Sequence, residues 1–108
     1  MKIGIIGAGQ LGLMLGEAAK KLNYECIFLD PNKNSPAKKI GKVINQEFSD
    51  IEGIRRLDSL TDVITYEFEN VPVESINTLN PNTVFPSSKA LEIAQDRLKE
   101  KQLFDSLN

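Results

Sequence analysis

The apolar run Ile3-Gly4-Ile5-Ile6 leads straight into Gly7-Ala8-Gly9-Gln10-Leu11-Gly12, and no other stretch of the chain restricts its fold as much. A buried strand must break there into a glycine turn and then into a helix, the G-x-G-x-x-G arrangement. Gly7 permits the tight turn, Gly9 lets backbone approach a phosphate, and Gly12 lets the helix pack closely on the strand. Backbone N–H groups at the start of that helix would meet any anion bound there. The motif by itself leaves two readings open, a nucleotide or phosphate site and a turn needed only for packing. Gln10 favours the first, because an amide in the turn can donate to a phosphate or sugar and accept from an amine.

Beyond the loop, short β-rich runs alternate with helical patterns, which predicts an α/β fold: a Rossmann-like parallel sheet of about five strands with helices on both faces. The expected strands are Lys2 to Ile6, Glu25 to Leu29, Lys42 to Asn45, Asp62 to Tyr66 and Thr83 to Phe85. A helix from about Gln10 to Leu22 carries Leu11, Met14, Leu15, Ala18 and Leu22 at helical spacing, with Asn23 as its stop signal. Turn residues fill Asn32 to Pro36, and a short helical stretch is expected around Ala37 to Gly41. Ser49 or Asp50 can cap a helix running to about Leu60, with Ile51, Ile54, Leu57 and Leu60 on its buried face. Further helices are expected from about Val73 to Leu79 and from Lys89 through Leu107. The charge pattern of the last suits a solvated or docking face.

Composition removes several function classes. A chain of 108 residues with 41% apolar and 26% charged residues has the make-up of one soluble globular domain. Its net charge of -2 gives no electrostatic footprint for nucleic acid or an anionic membrane. The apolar stretches are strand-sized and no secretory leader is visible, so a cytoplasmic location is expected. Without any histidine, the chain alone cannot build a histidine-based triad or zinc site. The single cysteine, Cys26, lies in an apolar strand and reads as a buried, inert thiol.

Several polar residues are placed to meet a ligand. Asp30, about 20 residues beyond the glycines, fits the acid that holds a ribose in dinucleotide folds, and with Pro31 it equally makes an ordinary turn. Glu67 and Glu69 are two positions apart beyond a strand end, where they could share a cationic ligand, or one could cap the next helix. The crevice outside the strand carboxyl ends is the usual ligand site of open parallel sheets, and the Gly9, Asp30 and Glu67 regions are all expected at that edge. Arg97 could hold a phosphate, although its own chemistry reads more simply as a surface pair with Asp96 or Glu100.

The order of motifs is more specific than any one of them. Gly-Ala-Gly-Gln-Leu-Gly at 7 to 12, Leu29-Asp30-Pro31, Ser35-Pro36-Ala37, Thr65-Tyr66-Glu67-Phe68-Glu69-Asn70-Val71-Pro72 and Ile93-Ala94-Gln95-Asp96-Arg97 together resemble the N-terminal part of the 5-(carboxyamino)imidazole ribonucleotide synthase family. These are ATP-grasp ligases of purine biosynthesis, which use ATP and bicarbonate to carboxylate the exocyclic amine of aminoimidazole ribonucleotide. The resemblance implies a pre-ATP-grasp, substrate-side domain over residues 1–87 and a helical connection over 88–108 toward an ATP-grasp part that the 108 residues lack. It implies that Gln10, Leu11 and Glu67 contact the ribonucleotide and that Arg97 contacts ATP, which reverses the simpler reading of Arg97. Gly7, Gly9 and Gly12 form the phosphate loop, while Asp30, Glu69 and Asn70 border the pocket. ATP, Mg2+ and bicarbonate are expected with the full-length enzyme, a homodimer is left open, and the fragment alone is expected to be inactive. The alternative is an NAD(P)-binding Rossmann module of a dehydrogenase or sensor, using Gly7, Gly9, Gly12 and Asp30.

Overall fold

The computed structural model describes residues 1–66 together with Asn77, Leu79 and Val84. Strands β1 (Lys2–Ile6), β2 (Glu25–Leu29), β3 (Lys42–Ile44) and β4 (Val63–Tyr66) alternate with helices α1 (Gln10–Lys21) and α2 (Ile51–Leu60). A 3-10 turn, Pro36–Lys39, precedes β3. The strands form one parallel four-stranded sheet in the order β3-β2-β1-β4. The described residues therefore contain four strands where about five were expected, and Val84, from the expected fifth, makes a parallel bridge to Ile64. Most of the helix expected at 73–79, and the whole of the segment from 85 onward, lie outside the described residues.

The central strands β1 and β2 are buried on both faces beyond their first residues, as a parallel sheet covered by helices requires. Ile3 and Ile5 of β1 and Cys26 and Phe28 of β2 pack with Leu13, Leu15 and Ala19 of α1. Ile6, Ile27 and Leu29 point the other way and pack with Ile54 and Leu57 of α2. Phe28, Ile6 and Leu29 are fully enclosed, and burying each such side chain stabilises the fold by about 1.5–3 kcal/mol.

The helix ends follow local rules. Asn23 adopts φ 64, Tyr24 N–H donates to Ala19 O and Asn23 N–H to Lys20 O, so α1 closes in a Schellman motif. The Asp50 side chain accepts from Glu52 N–H at 3.0 Å and caps α2. The buried faces differ from expectation. On α1 the sheet side is Gly12, Leu13, Leu15, Gly16 and Ala19, while Leu11 is 46% and Met14 64% exposed. A helix presenting glycine and alanine approaches its neighbours closely: a Cβ on Gly16 would collide with Ile40 and the Phe28 ring. On α2, Ile54 and Leu57 are buried as expected, whereas Ile51 and Leu60, at its two ends, are exposed.

Cys26 is buried. Burial, and secondarily the Glu25 carboxylate, push its thiol from 9.0 up to about 11. Thiolate is the nucleophile, so iodoacetamide at pH 8 is expected to leave Cys26 unmodified until the protein unfolds, with mass spectrometry as the readout. The raised folded-state value also sets a sign. The stabilisation is complete below pH 9, where both states hold the proton, and falls away as pH rises toward 11, where only the folded state still holds it. Urea unfolding should show a loss on the order of 2 kcal/mol across that window that is absent in Cys26→Ala.

Candidate functional site at the sheet's switch point

The chain runs outward from β1 through β2 to β3 and then crosses back to lay β4 on the other side of β1. Strand order thus reverses between β1 and β4, and in open parallel sheets the crevice outside the carboxyl ends at that point is where ligands bind. The glycine loop emerges from β1 there, and β4 ends beside it, with Tyr66 in register with Ile6. The chain continues from Tyr66 into residue 67. Glu67, Glu69, Asn70 and Arg97 lie outside the described residues.

The loop is built from backbone constraints. Gly7 sits at φ 111, a region side-chain-bearing residues rarely adopt, and its N–H donates to Leu29 O at 2.8 Å. Ala8 is held from both sides. Its N–H donates to Asp30 Oδ2 at 2.9 Å, and its carbonyl accepts from Ala37 N–H at 3.0 Å. Gly9 is the N-cap of α1 and supplies no side chain to the helix start. The N–H groups of Gln10 and Leu11 accordingly have no acceptor among the described residues. Gln10 and Leu11 are exposed, whereas Gly12 is buried against the sheet. These two residues are the part of the loop open to an anion or a polar ligand.

Asp30 takes a definite role in this arrangement. While Oδ2 accepts from Ala8, Oδ1 accepts from Asn32 N–H at 2.9 Å. Each carboxylate oxygen thus holds one backbone N–H, which makes Asp30 a clamp on the glycine loop. It remains only partly buried, at the rim of the crevice.

Two supports were not apparent from the residue pattern. Asn45, just past β3, donates through Nδ2 to Asp30 O at 3.1 Å and Asn32 O at 3.2 Å. Ser35 is buried and its hydroxyl donates to Asn32 O at 2.5 Å, which sets the turn that brings Ala37 onto Ala8. The run Asn32-Lys33-Asn34-Ser35 signals an Asx turn, and Asn34 N–H indeed meets Asn32 Oδ1. Nothing in that pattern says which loop it will brace. Among the described residues, no three potential ligands come together to hold a metal ion, and no helix is long and apolar enough to cross a membrane.

Sheet order, glycine turn and helix start define a Rossmann-like domain whose loop is clamped by Asp30 and Ala37. Residues 1–95 match the family model described as the ribonucleotide synthetase preATP-grasp domain, and the chain belongs to that family. It is 42% identical over 108 residues to N5-carboxyaminoimidazole ribonucleotide synthase of Pseudomonas aeruginosa, covering 99% of this chain and 30% of that protein. Among solved structures it is similar to N5-carboxyaminoimidazole ribonucleotide synthetase from Thermus thermophilus, with 44% identity, TM-score 0.73, 97% of this chain and 29% of that one. A Staphylococcus aureus N5-carboxyaminoimidazole synthetase complexed with ADP matches at 35% identity and TM-score 0.73, over 97% of this chain and 29% of that one. The chain therefore spans less than a third of the length of these relatives.

Proposed function

We propose that this chain is the ribonucleotide-side domain of an ATP- and bicarbonate-dependent ligase that carboxylates the exocyclic amine of aminoimidazole ribonucleotide in purine biosynthesis. The observation that carries this reading is the double clamp on Ala8. It fixes the loop with the Gln10 and Leu11 N–H groups open at the crevice, where they suit an anionic ribonucleotide. Similarity to ribonucleotide synthases over nearly the whole chain supports the substrate assignment.

In this reading the backbone of Gly9, Gln10 and Leu11 holds the ribonucleotide, and Gly7 and Gly12 shape the loop that presents it. Glu67, the next residue after β4, holds ribose hydroxyls or the substrate amine. Glu69 and Asn70 border the same pocket. Arg97 contacts ATP, whose binding is completed, with Mg2+ and bicarbonate, by the ATP-grasp part of the polypeptide in the cytoplasm. Such transfer depends mainly on positioning and charge stabilisation, and this domain contributes the positioning of the acceptor amine.

The test is calorimetric titration of the full-length polypeptide. Glu67→Ala is expected to weaken aminoimidazole ribonucleotide binding about a hundredfold while leaving ADP binding unchanged, as loss of hydrogen bonds to a charged group requires. Unchanged ribonucleotide affinity, or saturable NAD binding that Asp30→Ala abolishes, would refute the assignment.

A further inference from the structure

At the carboxyl end of β3 the ladder to β2 finishes with Asp30 N–H donating to Ile44 O at 3.1 Å, and Gln46 N–H turns back onto the same carbonyl. The Asn45 side chain carries the connection further. Its Nδ2 reaches two carbonyls of the turn beyond β2, Asp30 O at 3.1 Å and Asn32 O at 3.2 Å. A carboxamide nitrogen has two hydrogens, and here each has a carbonyl to receive it. Aspartate would bring only acceptors to that place and serine a single donor, so the position uses what asparagine alone offers at this side-chain length.

The place of this turn matters more than what the two bonds add to the fold. Asn45 is exposed, and hydrogen bonds open to water stabilise weakly. The turn it grips, however, is the base of the clamp on the glycine loop, since Asp30 reaches Ala8 N–H through Oδ2 and Asn32 N–H through Oδ1. The Ser35 hydroxyl converges on the same Asn32 carbonyl. A continuous set of hydrogen bonds thus runs from Asn45 through Asp30 to Ala8, which directly precedes Gly9, the N-cap of α1.

We propose that Asn45 is a positioning residue of the ribonucleotide site: its amide fixes the carbonyls of Asp30 and Asn32 and, through the Asp30 carboxylate, the glycine loop that presents the Gln10 and Leu11 N–H groups. This rests on the proposed ribonucleotide site. Asn45 itself touches no substrate. Its effect passes through the geometry of the loop, where a misplacement of about 1 Å is enough to spoil the alignment of a bound reactant.

Steady-state kinetics and thermal unfolding of the full-length polypeptide test this. Asn45→Ala is expected to raise the KM for aminoimidazole ribonucleotide about fivefold, with kcat and the KM for ATP unchanged and the melting temperature lowered by about 2 °C at most. Asn45→Asp should raise the same KM about tenfold, because it sets a carboxylate against two carbonyl oxygens. In an Asp30→Asn background, where the clamp is already weakened, Asn45→Ala should add less than about twofold, since the amide acts through that carboxylate. Ser59→Ala removes a hydroxyl bond to the Arg56 carbonyl on α2 and should leave both KM values as they are. An unchanged ribonucleotide KM in Asn45→Ala, or equal rises in both KM values, would overturn the proposal. So would a milder effect of Asn45→Asp than of Asn45→Ala, or effects of Asn45→Ala and Asp30→Asn that multiply in full. A wild-type enzyme indifferent to the ribonucleotide would instead overturn the ligase reading on which the proposal stands, and the wild-type control tells the two failures apart.

Discussion

Asp30→Ala is expected to destabilise the domain by about 3–5 kcal/mol, since it removes two hydrogen bonds to a carboxylate and strands a buried donor. Ala8 is fully buried, so its N–H, left behind when Oδ2 is gone, has no water to turn to. Asn32 loses its Oδ1 partner in the same step, and the turn that carries Ser35 and Ala37 onto the glycine loop loosens with it. Asp30→Asn retains one acceptor oxygen and should cost about half as much. Urea unfolding monitored by circular dichroism gives the stability, and titration of the full-length polypeptide should show ribonucleotide affinity falling in parallel. A loss below about 1 kcal/mol would mean that the loop keeps its shape without the clamp.

Gly41→Ala is expected to cost about 3 kcal/mol, through overpacking with no hydrogen bond lost. Gly41 links the 3-10 turn to β3, and a Cβ there would stand 2.6 Å from the Cys26 carbonyl oxygen and 2.8 Å from Cε2 of Phe28. The first is backbone of the neighbouring strand, and the second belongs to a fully buried ring. Neither can withdraw without moving β2. At Gly16 the nearest atoms of Ile40 and Phe28 are side-chain ends, and Ile40 is only partly buried, so Gly16→Ala should be the milder change. Thermal unfolding of the two variants side by side checks the order, and the reverse order would show that β2 yields more readily than the α1 contact.

Local chemistry made much of the fold legible. The bounds of β1 and β2 coincide with the apolar runs, because a doubly buried parallel strand is recorded as a continuous stretch of apolar residues. Asn23 and Asp50 mark helix ends because their side chains favour the left-handed backbone and the N-cap that helix termini require. The helix faces were harder to read. Periodicity weights large apolar residues, so Leu11 and Met14 counted toward the buried stripe, yet α1 approaches the sheet through Gly12, Gly16 and Ala19. Small residues allow the close approach, and in doing so they leave Leu11 and Met14 on the outer side.

The site divides in the same way. The glycine loop, the edge on which it opens and the presence of an acid at position 30 were visible in the residue pattern. That Asp30 clamps this loop was visible only in distances, with Oδ2 on Ala8 N–H and Oδ1 on Asn32 N–H. Asn45 and Ala37 as braces of that loop, and Thr65 as a buried hydroxyl without a partner among the described residues, had no signature at all. By itself, then, the sequence determined the elements, the parallel α/β class, the edge at which the glycine loop opens and the resemblance to ribonucleotide synthases, because those depend on residue types at fixed local spacings. Tertiary structure alone decided which face of α1 is buried, which groups of the glycine loop stay open and which polar atoms are already satisfied, because each depends on hydrogen bonds and contacts between segments that only folding brings together.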